Sequence, residues 1–188
     1  MSKVKFGLKN VHLAKRTVVE GVVSYATPVA FEGAKSLNAD PQGDKKEFYY
    51  DDVVYYSTQS RAGMEGELEV ADVPKSVLID FLGYIEDTLG QLVQTSDTGE
   101  SFALLFQVTT DTQARKMCFF NCSFGQPKEE YSSIEQDVEL QNTVIPLKVH
   151  GENVDGKLIT KAQADSTATN YDTFFNAVAV PTFTPPSP

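Results

Sequence analysis

The sequence predicts a mainly β protein, a sandwich or barrel with one helix packed against it. Two observations predict this class. Apolar and polar residues alternate with a period of two along several segments, which is typical of strands that bury one face. Only one segment combines a helical spacing of apolar residues with both a start and a stop signal. At 188 residues the chain fits one domain, which we expect at 1–180, followed by a Pro-rich arm at 181–188.

Strands are expected at five places where apolar residues share one face. These faces are formed by Val4, Phe6 and Leu8; by Met64, Leu68 and Val70; by Phe102, Leu104, Phe106 and Val108; by Cys118, Phe120, Cys122 and Phe124; and by Ile134, Val138 and Leu140. A further β-rich run, TVIPLKV, contains Pro146, which favours an edge strand or a bulge. The chain is also expected to have extended N- and C-terminal arms.

The helix is expected at about 73–83. Pro74 occupies a first-turn position, apolar residues form one stripe behind it, and Gly83 supplies a stop signal. The segment NYDTFFNAV near the C-terminus is a second and weaker helix candidate, because Asn170 or Asp172 would cap it.

The composition argues against several functional classes. The net charge of −10 disfavours a nucleic-acid binder with the usual basic patch. No apolar run approaches the roughly 20 residues of a membrane span, and the N-terminus lacks the features of an export signal, so we expect synthesis in a cytoplasm. Cys118 and Cys122 lie about 13 Å apart on a strand, beyond disulfide reach, and two cysteines alone do not complete a zinc site. We interpret them as small buried apolar residues.

Motifs for catalysis are scarce. Asp97-Thr98-Gly99 matches the tripeptide of aspartic proteases, but without that family's apolar flanks, and a hairpin turn is the favoured interpretation. The sequence has no phosphate-binding loop, no dinucleotide fingerprint and no serine-nucleophile elbow. The two histidines, His12 and His150, lie near no nucleophile in sequence. We therefore expect no enzyme, no catalytic residue, no cofactor and no metal.

One stretch concentrates aromatic residues behind a polar segment. The segment 40–60 begins with turn formers such as Pro41, which predicts a long loop, and continues with half of the chain's eight tyrosines. Its aromatic residues are Phe48, Tyr49, Tyr50, Tyr55 and Tyr56. One interpretation is that they cover the protein's own core. The other, which we favour, is that a partner covers them, because consecutive strand residues face opposite ways.

Acidic residues form two rows on predicted strand faces. The first is Glu65, Glu67 and Glu69, and the second is Glu135, Asp137 and Glu139. A plain solvent-exposed face that discourages aggregation explains both rows. A calcium site is disfavoured, because strands lack the looped oxygens that calcium usually takes. The functional interpretation is a surface that repels a polyanion.

The ordered set of segments resembles the major tail protein of long-tailed, non-contractile bacteriophages and related prophages of Gram-positive bacteria. The segments are VKFGLKNVHLA, ATPVAFEGAKSLNADPQG, FYYDDVVYY, GMEGELEVADVPKSVLIDFLG and MCFFNCSFGQPKEEYSSIEQDVELQNTVIPLKV. They span almost the whole chain, and their order carries the resemblance more than any single motif.

The resemblance implies a virion protein with the tail-tube β-sandwich or barrel, whose copies form hexameric rings that stack into a tube. The resemblance further implies that DNA passes through the lumen without specific binding and that no membrane is involved. The implied partners are other copies of the chain, a tape measure protein in the lumen, and terminator and distal tail proteins at the ends. The aromatic residues and Pro41 would then make inter-subunit contacts, and at least one acidic row would line the lumen. The alternatives are a tail terminator or the inner tube of a contractile system; a carbohydrate-binding sandwich is disfavoured, because the chain has no Trp.

Overall fold

A computed structural model describes residues 5–43, 45–50, 53–59, 63–110, 114–128 and 142–183, with the backbone alone for 5–6, 45–50, 53–59 and 110. The strands are β1 (Lys5–Val19), β2 (Val22–Tyr25), β3 (Val29–Ala30), β4 (Ala34–Gln42), β5 (Lys45–Tyr50), β6 (Val53–Gln59), β7 (Gly63–Val70), β8 (Tyr84–Glu86), β9 (Leu92–Gln94), β10 (Phe102–Thr110), β11 (Arg115–Phe124), β12 (Thr143–Val149), β13 (Glu152–Val154), β14 (Lys157–Ile159) and β15 (Lys161–Ala164). The helix α1 spans Lys75–Leu82.

Nine of these strands form one antiparallel sheet. The order is β2-β1-β10-β11-β12-β7-β4, with β15 paired to β11 and β3 paired to β1. Strands β1 and β4 also contact each other although they are distant in this order, so the sheet curls over itself. Three separate two-stranded hairpins complete the fold: β5–β6, β8–β9 and β13–β14. The predicted mainly β class with one flanking helix is confirmed.

The curled sheet and the helix enclose the first core. Helix α1 begins after Pro74 and ends at Gly83, whose φ of 73° is the left-handed conformation that glycine adopts without strain. The predicted position of the helix is thus confirmed. The predicted inward face of β10 is confirmed as well. The larger buried residues of the first core are Leu13, Phe31, Leu68, Phe81, Leu82, Phe102, Leu104, Phe106, Phe119, Ile145 and Leu147.

A second core lies on the opposite face of β10 and β11. The sheet contributes Ala103 and Leu105 from β10, and Cys118 and Phe120 from β11. Residues 165–177 cover this face as a chain of turns that includes the buried Phe174. The prediction of a second helix at NYDTFFNAV is therefore wrong. Hydrogen bonds from Tyr171 N to Ala168 O and from Phe174 N to Tyr171 O close four-residue turns.

A β-bulge reverses the alternation predicted for β11. Leu104 pairs with Phe119 but Phe102 pairs with Cys122, so β11 holds one residue more than β10 across this step. Asn121, with a φ of 51°, lies in the bulge. Cys122 consequently faces the first core, whereas Cys118 faces the second. The prediction that they share a face is wrong, but their interpretation as buried thiols is confirmed.

The predictions for the two ends of the chain are tested only in part, because residues 1–4 and 184–188 lie outside the described residues. Val4 lies outside the described residues and Phe6 is described by its backbone alone, while Leu8 packs against the first core as predicted. The described chain begins within the sheet, where Lys5 of β1 is opposite Thr110 of β10, so the predicted N-terminal arm would fall on 1–4, outside the described residues. Residues 178–183 have no regular secondary structure, and 184–188 lie outside the described residues.

Candidate functional site

The aromatic residues predicted for inter-subunit contact lie on the hairpin β5–β6, which we call the aromatic hairpin. Among the described strands, β5 and β6 pair only with each other. Phe48 is opposite Tyr56 and Tyr49 is opposite Val54, so Tyr55 is the extra residue of a bulge. The side chains of these aromatics lie outside the description, so the contacts predicted for them remain predictions.

The aromatic hairpin is an insertion between two strands that are themselves partners. Strands β4 and β7 pair along their length, and the last pair joins Gln42 to Gly63. The segment expected to be a long loop therefore consists of the end of β4, followed by the aromatic hairpin. Pro41 lies on β4 rather than on the hairpin, where it is exposed and opposite Met64. Since the insertion leaves and re-enters the sheet at one pair, the sheet closes without it.

The first acidic row lies on β7 as predicted, facing away from the first core. Leu68, between two of the glutamates, and Val70, after the last of them, are fully buried. Each carboxylate has a lysine partner from a different neighbour. The ion pairs are Glu65 with Lys148 of β12 at 3.0 Å, Glu67 with Lys128, and Glu69 with Lys35 of β4 at 2.8 Å.

These partners reduce the negative field of the row. Glu69 has the most hydrogen-bond donors of the three, because Ser36 Oγ and Asn142 Nδ2 also donate to its carboxylate, at 2.9 and 3.0 Å. The hydrogen bond from Lys35 is the main reason why the pKa of Glu69 lies below its usual value. Three carboxylates beside three ammonium groups give a local sum near zero, which weakens the repulsion of a polyanion that the functional interpretation expects of this row. The second row, Glu135, Asp137 and Glu139, and its apolar partners Ile134, Val138 and Leu140 lie outside the described residues.

A buried ionic cluster that sequence reasoning missed joins β1, β2 and β13. Arg16 donates from Nε and Nη2 to the Glu152 carboxylate, at 2.7 and 3.0 Å, and Tyr25 Oη donates to the same carboxylate at 3.2 Å. The exposed fractions of the Arg16 and Glu152 side chains are only 17% and 9%. The hydrogen bond from Arg16 lowers the pKa of Glu152, while burial raises the pKa of Tyr25.

The protease-like tripeptide has a packing role. Asp97, Thr98 and Gly99 lie in the connection from β9 to β10, which belong to different sheets, so the predicted hairpin turn is wrong. A Cβ atom on Gly99 would lie 2.0 Å from the Phe81 carbonyl carbon, so only glycine fits against the helix end. Glu100 N donates to Asp80 O at 3.0 Å and holds the connection there.

The folded chain also brings one histidine to a serine. Ser123 Oγ and His150 Nε2 are 2.9 Å apart, in an exposed position. Within the described part of the chain, no carboxylate accepts a hydrogen bond from this imidazole to orient it, as a hydrolytic triad would require. The described residues also hold no group of three or more His, Cys, Asp or Glu side chains that could bind a metal ion. Over the same residues, no helix has the length and apolarity to span a bilayer.

Comparison with known proteins adds no assignment. No protein-family model matches the sequence, and a search of curated proteins returns no match.

Proposed function

We propose that this protein is the tail tube subunit of a long-tailed, non-contractile bacteriophage or prophage. Its copies would stack as hexameric rings into the conduit through which DNA leaves the virion. Two things support the proposal: the ordered sequence resemblance, and a mainly β fold with one flanking helix. The role is structural and needs neither a catalytic site nor a cofactor, because function arises from symmetric repetition.

The aromatic hairpin is the observation that carries the proposal. A two-stranded hairpin on its own is marginally stable in water, and this one pairs with no other described strand. Tyr49 and Tyr50 are consecutive in the sequence of β5, and the alternation of strand residues predicts that they serve opposite faces of the hairpin. Tyrosine suits a surface that is buried only on assembly, because it offers a large rigid area with a polar tip. A neighbouring copy, supplied at every position of a tube, would cover both faces.

The charges of the first acidic row are compatible with a conduit for DNA, although its lysine partners make the row less acidic than the sequence alone predicts. A basic lumen would hold DNA through many phosphate contacts, and a wall without excess positive charge avoids this. The row at Glu65, Glu67 and Glu69 meets that condition with its lysines in place. We infer that strong acidity of the lumen rests on Glu135, Asp137 and Glu139 more than on the first row. Tape measure protein would fill the lumen before ejection, and terminator and distal tail proteins would cap the two ends.

Electron microscopy of the purified full chain tests the proposal. We expect long hollow tubes with six subunits in each ring. Isolated rings would indicate a tail terminator, and tubes that form only around or within a sheath would indicate a contractile system. Monomers at all concentrations would refute the proposal.

A variant without the aromatic hairpin sharpens the test. Residues 43–62 are replaced by Asn-Gly, a two-residue turn that joins paired strands such as β4 and β7 directly. We expect a folded monomer that makes no tubes, as judged by circular dichroism and microscopy. The matched control exchanges Ser57 and Thr58 for Ala on the same hairpin and should assemble normally. An unfolded deletion variant would show that the hairpin belongs to the subunit's own core.

A further inference from the structure

The end of the β1–β2 hairpin exposes valines on both of its faces. Val18 pairs with Val23, and Val19 pairs with Val22, next to the turn. The exposed fractions of Val18, Val19 and Val22 are 49%, 61% and 69%. We call Val18, Val19 and Val22 the valine tip. Because paired strand residues lie on the same face, successive pairs expose valine on opposite sides of the hairpin.

The valine tip is held in a fixed orientation by the structure behind it. Glu20 and Gly21 have φ values of 51° and 80°, as in the tight turn that matches the twist of paired strands. At the base of the hairpin, Arg16 forms the buried pair with Glu152, and its N–H donates to Ser101 O at 2.8 Å. Lys15 forms an ion pair with Glu100 at 3.1 Å. A buried ion pair costs desolvation and adds orientation, which a projecting contact needs.

A second exposed aliphatic surface lies on the β8–β9 hairpin and the adjoining helix. Ile85 pairs with Val93, and both are exposed, by 53% and 45%. Leu89 in the connecting turn is exposed by 80%, and Ile79 of α1 by 36%. We call Ile79, Ile85, Leu89 and Val93 the aliphatic patch.

We propose that the valine tip of one copy packs against the aliphatic patch of a second copy. This inference rests on the proposed function, because it assigns a contact to the assembly that the function requires. A homopolymer presents both surfaces at every subunit, so a tip-to-patch contact is heterologous and repeats around a ring or along a tube. Three valines bury at most a few hundred Å², well below the roughly 800 Å² per partner of a stable dimer. The contact therefore suits an assembly that makes several contacts at once, rather than an isolated pair.

Cysteine cross-linking between two single variants tests the proposal. Val19→Cys and Leu89→Cys are purified separately, mixed and mildly oxidised. We expect a disulfide-linked pair that contains one copy of each variant. The native Cys118 and Cys122 are 3% and 0% exposed, so they do not compete.

The control mixture uses Val29→Cys and Leu158→Cys. Val29 is exposed by 68%, against 61% for Val19, and Leu158 by 50%, against 80% for Leu89. Val29 is opposite Leu13, about 20 Å along β1 from Val19. The control therefore places an exposed cysteine away from the valine tip. The control should remain unlinked. Equal linking in the control would overturn the proposal, since it would show random encounter.

A charge exchange provides a second and independent readout. Val19→Asp would bury a carboxylate in the contact, and we expect the concentration needed for assembly to rise about tenfold. Adding Leu89→Lys to that variant should restore assembly, while Leu158→Lys should not. Loss without rescue would overturn the proposed partner surface.

The outcomes separate this contact from the proposed function. Tubes without a specific cross-link would refute the tip-to-patch contact and leave the tube role standing. A specific cross-link without tubes would support the contact and refute the tube role. Linking of Val19→Cys to itself would identify a contact between two tips instead and overturn the proposal.

Discussion

Replacing Glu152 with glutamine tests whether the buried ionic cluster holds the β1–β2 hairpin in place. Glutamine preserves the shape of the side chain and keeps one acceptor oxygen, but it removes the charge. Arg16 then loses one of its two charged hydrogen bonds, which contribute about 1.5–3 kcal/mol each, and loses its counter-ion in a site where it is mostly buried. We expect the free energy of unfolding to fall by about 3 kcal/mol at pH 7.

Urea denaturation followed by circular dichroism measures this change. With a slope of about 2 kcal/mol per molar urea, the midpoint should fall by about 1.5 M. Glu100→Gln is the matched control, because Glu100 also forms an ion pair with a basic residue of β1, Lys15. The Lys15 and Glu100 side chains are exposed by 44% and 55%, so the control should cost less than about 1 kcal/mol.

The pH dependence provides a second check. Arg16 lowers the pKa of Glu152 in the folded state, so the carboxylate stabilises the fold above its unfolded pKa of about 4.3. This stabilisation is lost as the pH falls through the lower folded value. The difference between the native chain and Glu152→Gln should therefore be constant at neutral pH and shrink below about pH 4. A cost equal to that of the Glu100→Gln control would refute the reasoning.

Three other predictions concern the rest of the chain. Phe174→Ala should lower the free energy of unfolding by about 3 kcal/mol, since it leaves a cavity in the second core, whereas Phe183→Ala, at an exposed position, should change it little. Removing 182–188 should weaken tube assembly more than it lowers the melting temperature; an equal loss would place the arm on its own subunit. Changing Glu65 and Glu67 to Lys in a phage should leave tubes intact but slow DNA ejection, most at low salt. A reconstruction with that row on the outer wall would contradict the last prediction.

Local patterns in the sequence predict the elements that depend on neighbouring residues. The alternation in β7 and β10 follows from one buried face meeting the first core, and the helix follows from Pro74, an apolar stripe and Gly83. These signals span fewer than a dozen residues each. They are reliable here because no inserted residue breaks the alternation within β7 or β10.

The features that the sequence did not predict depend on distant contacts or on single inserted residues. One extra residue near Asn121 sends Cys118 and Cys122 to opposite cores, and a period-two pattern contains no sign of it. Arg16 and Glu152 are 136 positions apart, so nothing local joins them. The second core also escaped prediction, because it rests on a run of turns whose aromatic residues imitate a helical stripe.

The two cores restrict where this chain has surface left for other copies. Strands β10 and β11 bury both faces, so the centre of the sheet has no face to offer a partner. Most of the exposed large apolar residues lie instead on hairpins at the periphery, including the valine tip and all of the aliphatic patch except Ile79 of α1. The aromatic hairpin is also peripheral. The chain leaves the sheet after Gln42 and returns to it at Gly63, its partner, so the hairpin does not shift the register of β4 and β7 beside that pair. Changes in such hairpins can alter assembly while the packed centre keeps its geometry. We therefore expect substitutions in the hairpins to affect association first, and substitutions in the two cores to affect folding first.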